Sequence, residues 1–194
     1  CLLLVLSLPV TALAEEAKDT DEAAAAEEGT TLRILRQKQF LDFAENCRLD
    51  SYSRNLSVVL LTDIDLTGVD FSGIPIFCGN FDGNGHTISG LKVSIAVGDS
   101  DSAYAGLFGY SSGKISNVTL LNASVQIKDS TFGYAGALVG AAAGTISHCY
   151  VRAGSVSVTN AKTSANAGGL VGRMYAGTIS ECYSSAAVSA SGTM

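Results

Sequence analysis

Tryptophan is missing from this sequence, and 194 residues hold only two prolines and two histidines. With two histidines and no HExxH, the helical zinc-peptidase site is excluded, since it needs paired imidazoles four residues apart. Five cysteines occur, at 1, 47, 78, 149 and 182. None forms a CxxC pair, so the zinc-ribbon and zinc-finger spacings are excluded too. Charge is scarce at 15% of residues, and it is unevenly placed. Seven of the eighteen acids fall within residues 15–28 against one base, Lys18, so that stretch alone carries the net −6. The remaining eleven acids and eleven bases cancel. No basic face of the size that nucleic acid or anionic lipid requires can be built from such a balance.

Long apolar runs are absent as well. Leu2 to Val10 is too short to span a bilayer. It leads into Ala12-Leu13-Ala14, the small-x-small pattern accepted by a signal peptidase. Residues 1–14 are therefore read as a partial signal peptide, with an uncleaved anchor as the alternative. The start at Cys1 and the missing basic leader predict that the natural chain begins further upstream. Export to the cell surface follows, with no membrane insertion of the mature chain.

What is abundant is glycine, twenty-one in all, together with Ser, Thr and Ala, a composition suited to turn-rich β structure. Residues 15–31 form an acidic Ala/Glu-rich linker. Residues 32–79 are expected to hold a capping helix and the first strands. Phe40, Leu41, Phe43, Ala44 and Cys47 recur at three- and four-residue intervals, which predicts a helix of about ten residues with one apolar face. The stretch "LSVVLLTDIDLTGVDF" reads as strand. Asp82-Gly83-Asn84-Gly85 is a double turn signal.

Beyond Gly106 the chain repeats itself. The copies are "GLFGYSSGKISNVTLLNASVQI", "ALVGAAAGTISHCYVRAGSVSV" and "GLVGRMYAGTISECYSSAAVSA". Leu107, Leu138 and Leu170 align, as do Ile115, Ile146 and Ile179, then Val118, Cys149 and Cys182. Val125, Val156 and Val188 align, and Ile127, Val158 and Ala190 follow them. A single copy has too little apolar surface to bury, but stacked copies make one continuous core. The predicted fold is all-β, a right-handed parallel β-helix (solenoid) with the amphipathic helix as N-terminal cap. Residues 80–194 would be its coils, each of two or three short strands. A coil at Met194 without a cap predicts further coils or domains C-terminal to it. Gly169, Gly172 and Gly177 are expected at corners, with Leu170 and Ile179 as core rungs.

These three copies, and "LTDIDLTGVDFSGIPIFCGNFDGNGHTISGL" before them, resemble the GLUG-motif repeats of bacterial surface proteins. Similar repeats occur in adhesins and in the N-terminal regions of IgA-specific metallopeptidases. The resemblance spans roughly residues 56–190 and implies passive, elongated surface modules. The third copy departs by one extra residue between Gly172 and Gly177.

Several motifs invite chemical readings. "GYSSG", Gly109 to Gly113, matches GxSxG, yet the aligned copies carry no Ser, and a nucleophile elbow needs a strand–turn–helix and a His. His148 aligns with Asn117 and Glu181 and reads as the polar slot of a strand. Asp63, Asp65, Asp70 and Asp82 are weak calcium candidates, with turn capping as the alternative. Cys149 and Cys182 stack in one ladder and are expected as buried thiols, whereas Cys47 and Cys78 could form a bridge. Asn55, Asn117 and Asn122 each start a formal N-glycosylation triplet. Segments Ser94–Tyr104, Lys128–Tyr134 and Thr159–Asn166 read as outer loops. Arg173, Met174 and Tyr175 are the residues the repeat does not dictate, and hence the possible surface contact. The expected function is an exported, non-catalytic β-helical surface module for adhesion or display, without cofactor. Its partner would be a host glycan or surface protein. Two alternatives stand beside it: the N-terminal stalk of a surface metallopeptidase, and a carbohydrate-active β-helix enzyme.

Overall fold

A computed structural model describes residues 30–49, 51–96 and 102–192. The leader reading falls on residues outside this range, as does most of the acidic linker. The chain runs through β1 (Thr31–Ile34), α1 (Gln37–Asn46), β2 (Ser57–Leu60), β3 (Ile64–Asp65), β4 (Ile74–Phe77), β5 (Asn80–Asp82) and β6 (Thr87–Ser89). It continues through β7 (Lys92–Ala96), β8 (Ser102–Ala105), β9 (Phe108–Ser111), β10 (Lys114–Ser116), β11 (Thr119–Lys128), β12 (Phe132–Gly136) and β13 (Val139–Ala142). The last elements are β14 (Thr145–Ser147), β15 (Tyr150–Ala161), β16 (Ser164–Gly168), β17 (Val171–Met174), β18 (Thr178–Ser180), β19 (Tyr183–Ser184) and β20 (Ala187–Gly192).

Every strand pairing is parallel. The first sheet runs β1-β2-β5-β10-β14-β18, and the second carries β3, β6, β11 and β15 with β7, β19 and β20. The third is β8-β12-β16 and the fourth β4-β9-β13-β17. The chain visits them in turn, so the architecture is a parallel β-solenoid. The expected ladders hold in register: Ile115 pairs with Ile146, and Ile146 with Ile179. Val125, Val156 and Val188 form another ladder, and Ile127, Val158 and Ala190 a third.

Three expectations need correction. A full coil has four strands, not two or three. The strands of the third sheet start in segments read as loops: β12 begins within Lys128–Tyr134, β16 within Thr159–Asn166 and β8 within Ser94–Tyr104. Their small inward residues, such as Ala103 and Ala105, let two sheets approach closely. Finally, "LSVVLLTDIDLTGVDF" is not one strand but β2 and β3, separated by a bend at Leu61–Asp63.

The helix α1 has the predicted length and covers the end of the coil interior. Phe40 and Phe43 are fully buried and lie against Phe71, Phe77 and Phe81, with ring centroids 5.8–6.1 Å apart across these contacts. The cluster extends to Phe108, 5.2 Å from Phe77. Beyond it the core passes to aliphatic rungs. The helix is preceded by β1, which starts at the last residue assigned to the linker and pairs with β2.

Glycine has two distinct roles. Gly79, Gly113, Gly144 and Gly177 stack at the corner between the fourth and first sheets. A Cβ on Gly144 would sit 1.9 Å from the Gly113 carbonyl oxygen, and one on Gly177 equally close to that of Gly144. Gly172 is not a corner, contrary to expectation. It lies inside β17, where a Cβ would meet the backbone of Ala135 at 2.7 Å.

Candidate functional site: an outward tyrosine–arginine stack

The first candidate group dissolves in the structure. Asp63 and Asp65 are both exposed, flanking buried Ile64. Asp63 Oδ1 accepts from the Thr87 amide at 2.8 Å and faces His86 Nδ1 at 3.1 Å. The Thr87 amide, with help from His86, holds its carboxyl below the ordinary range. Asp65 Oδ1 accepts from the Thr67 amide at 2.9 Å and from Ser89 Oγ at 3.2 Å, and hydrogen bonding from Thr67 lowers its pKa. Asp82 Oδ1 accepts from Asn84 N and Asn117 Nδ2. Asp70 lies apart, lining two open grooves of about 590 and 300 Å³. Among the described residues no three His, Cys, Asp or Glu gather as a metal site. At 63, 65 and 82 one carboxylate oxygen, Oδ1, accepts from neighbouring donors, the geometry of turn caps.

Ser111, centre of the GxSxG match, is 1% exposed within β9. Its column is Phe77, Ser111, Ala142 and Met174, a core ladder rather than a strand–turn–helix elbow. His148 is not in a strand slot. It shares a left-handed corner with Asn117 and Glu181, at φ of 52–56°, and its Nε2 lies 2.6 Å from Glu181 Oε2. The three triplet asparagines, Asn55, Asn117 and Asn122, all have positive φ. Asn is among the few residues that adopt this region readily, so backbone geometry accounts for their presence.

The described cysteines are free thiols. Cys47 and Cys149 are buried, and burial pushes each up to about 12, with Cys78 adding to the shift at Cys47. Cys149 N donates to Cys182 Sγ at 3.3 Å, which places the two in one ladder as expected. Cys47 and Cys78 are not bridged.

The residues left free by the repeat fare differently from one another. Arg173 and Tyr175 are exposed, whereas Met174 is half-buried and packs against the core. Arg173 pairs with Ala141 and Ala141 with Tyr110. In the adjoining third sheet, Tyr104, Tyr134 and Asn166 form one column. The Tyr104 and Tyr134 rings stack with centroids 5.2 Å apart and planes at 17°. The Arg173 guanidinium lies over Tyr175 at 4.7 Å and over Tyr134 at 5.5 Å. Its Nη1 donates to the Tyr134 hydroxyl at 3.3 Å. Tyr134 is thereby 5% exposed at the centre, while Tyr104 and Tyr175 stand 36% and 49% exposed at the rim.

The extra residue of the third copy builds this stack. Met174 pairs with Ala142 and Thr178 with Thr145, so three residues cross where the previous coil uses two. The surplus turns Tyr175 outward beside Tyr134. Tyr104 and Tyr134 escaped notice in the sequence, although the recurrent Tyr-Ala-Gly at 104–106 and 134–136 marks them.

The class defined by this fold and site is a parallel β-solenoid with inward aliphatic ladders and an outward aromatic–cationic patch. No helix among the described residues is long and apolar enough to cross a membrane. No family model matches the chain, and no solved structure matches it. Halomucin of Haloquadratum walsbyi (strain DSM 16790 / HBSQ001) is 33% identical over 160 residues, covering 76% of this chain. The match takes in 2% of halomucin's length, so the chain spans a small part of that protein.

Proposed function

We propose that the chain is an exported, non-catalytic module of the cell surface, of the GLUG-repeat kind, which serves adhesion or display. One observation carries this reading. The repeated residues of each coil form the inner ladders, while the residues that break the repeat gather outward as Arg173 and Tyr175 around Tyr134. A scaffold regular inside and particular outside suits the presentation of a contact surface. The likeness to halomucin and the GLUG-like copies support a place at the cell exterior. A glycan or surface protein would be the partner.

Beads coated with the full chain test this reading. Retention under flow on a mucin-coated surface should exceed that of albumin-coated beads. Equal retention of the two bead types, on mucin and on a panel of cell surfaces, would overturn it.

A further inference from the structure

The tyrosine–arginine stack is more specific than a generic adhesive face, and this inference rests on the adhesion reading above. We propose that it binds carboxylate-bearing pyranose sugars, with Arg173 taking the carboxylate and the rims of Tyr104 and Tyr175 taking the ring.

Arg173 is the starting point. A guanidinium carries five N–H donors in a planar fork suited to a carboxylate. Here one nitrogen is engaged by the Tyr134 hydroxyl, and two rings hold the plane in place. No carboxylate of the described residues forms an ion pair with it. The cation is therefore oriented before any ligand arrives, which lowers the ordering cost of binding. Its remaining donors point where an anion can reach, since Arg173 is exposed.

The tyrosines specify what carries the anion. A pyranose has C–H faces that pack on an aromatic ring and a rim of hydroxyls that seek donors and acceptors. Exposed tyrosine offers both, an apolar face and a phenolic tip. Tyr104 and Tyr175 each contact the buried Tyr134 ring, at 5.2 and 6.5 Å, and the guanidinium lies over Tyr134 and Tyr175. Arg173 lies on β17, the outermost strand of the fourth sheet, and Tyr134 lies in the adjoining third sheet, so the patch is built from side chains of two sheets rather than from a helical groove.

Calorimetric titration of the full chain with tetragalacturonate, and separately with sialyllactose, tests the assignment. At least one acid should bind, more weakly as salt is raised. The methyl ester of the same sugar should bind about tenfold or more weaker, the usual worth of a charged hydrogen bond. Arg173→Met and Arg173→Lys should each lose binding by a similar factor, with unchanged melting temperatures because the side chain is exposed. Tyr134→Phe, which frees the guanidinium, should weaken binding less. Binding of neither acid, equal binding of acid and ester, or unaltered binding by Arg173→Met would each overturn the proposal. Equal affinity for polyglutamate would overturn the sugar assignment. If Arg173→Met beads still adhere while wild-type chain ignores both sugars, adhesion stands and this site does not.

Discussion

A methyl group has no room at Gly144. Its Cβ would lie 1.9 Å from one carbonyl oxygen and 2.7 Å from the neighbouring peptide carbon, both main-chain atoms of the coil beneath. Neither can rotate away as a side chain could. Gly144→Ala is therefore expected to destabilise by about 1–3 kcal/mol through overpacking. Gly85→Asn is the contrast. Gly85 has φ of +79° but nothing within 4 Å of a Cβ, and Asn tolerates that backbone. Its cost should stay within about 0.5 kcal/mol. Urea denaturation of both variants decides; equal midpoints would show that the glycine column does not mark close coil contact. The sequence announces such glycines without saying which constraint each obeys. Gly172 and Gly177 stand in one motif, yet the first yields to a neighbouring strand and the second to the coil below. Met174 is half-buried for a related reason. Alternation from half-buried Val171 would turn Arg173 inward and Met174 outward, but the glycine column breaks the two-residue period. Val171 and Met174, three apart, both pack on the core, as Phe108 and Ser111 do below them.

Among the elements, α1 contributes most where it is least exposed. Phe43 is 1% exposed and touches Phe40, Phe77 and Phe81, joining helix to both neighbouring sheets. Phe43→Ala should cost about 3–5 kcal/mol. Leu35→Ala, at a site 59% exposed just before the helix, should cost within about 0.5 kcal/mol. Thermal unfolding followed by circular dichroism separates the two; a Phe43→Ala melt like that of wild type would mean the helix is not a plug. The helix was legible because its apolar spacing is local. The strand β1 was not, because only Ile34 of its four residues is fully buried and its partner β2 lies far along the chain. β12 and β16 were hidden by composition. Their Gly and Ala residues have low strand propensity, and only pairing across coils makes them strands. The tyrosine–arginine site was half legible, through Arg173 and Tyr175, since the stack also needs Tyr104 and Tyr134 from two earlier coils.

At the scale of the whole molecule, burial is conferred by the next coil rather than by the residue. Ile115, Ile146 and Ile179 are one residue type in one column, in the same local sequence pattern. The first two are 0% and 1% exposed, while Ile179, on the last described coil, is 45% exposed. Val188 shows the same at 47%, against 1% for Val125 and Val156 on the rungs before it. In a solenoid each coil exchanges contacts only with its neighbours, so stability adds up along the axis instead of radiating from a centre. Ile115→Ala and Ile146→Ala should each cost about 2–5 kcal/mol, the range for a buried aliphatic truncation. Ile179→Ala should cost well below that, about 1 kcal/mol, because nearly half of its surface stays in water in the folded chain. Amide exchange should show the same gradient. Protection should be greatest in β11 and β15, which have a partner strand on each side, and least in β18 to β20, which have one. Equal losses from all three isoleucine truncations, together with uniform exchange from β10 to β20, would mean that the coils unfold as one radial core. Graded losses would identify each coil as the packing partner that makes its neighbour's ladder a core.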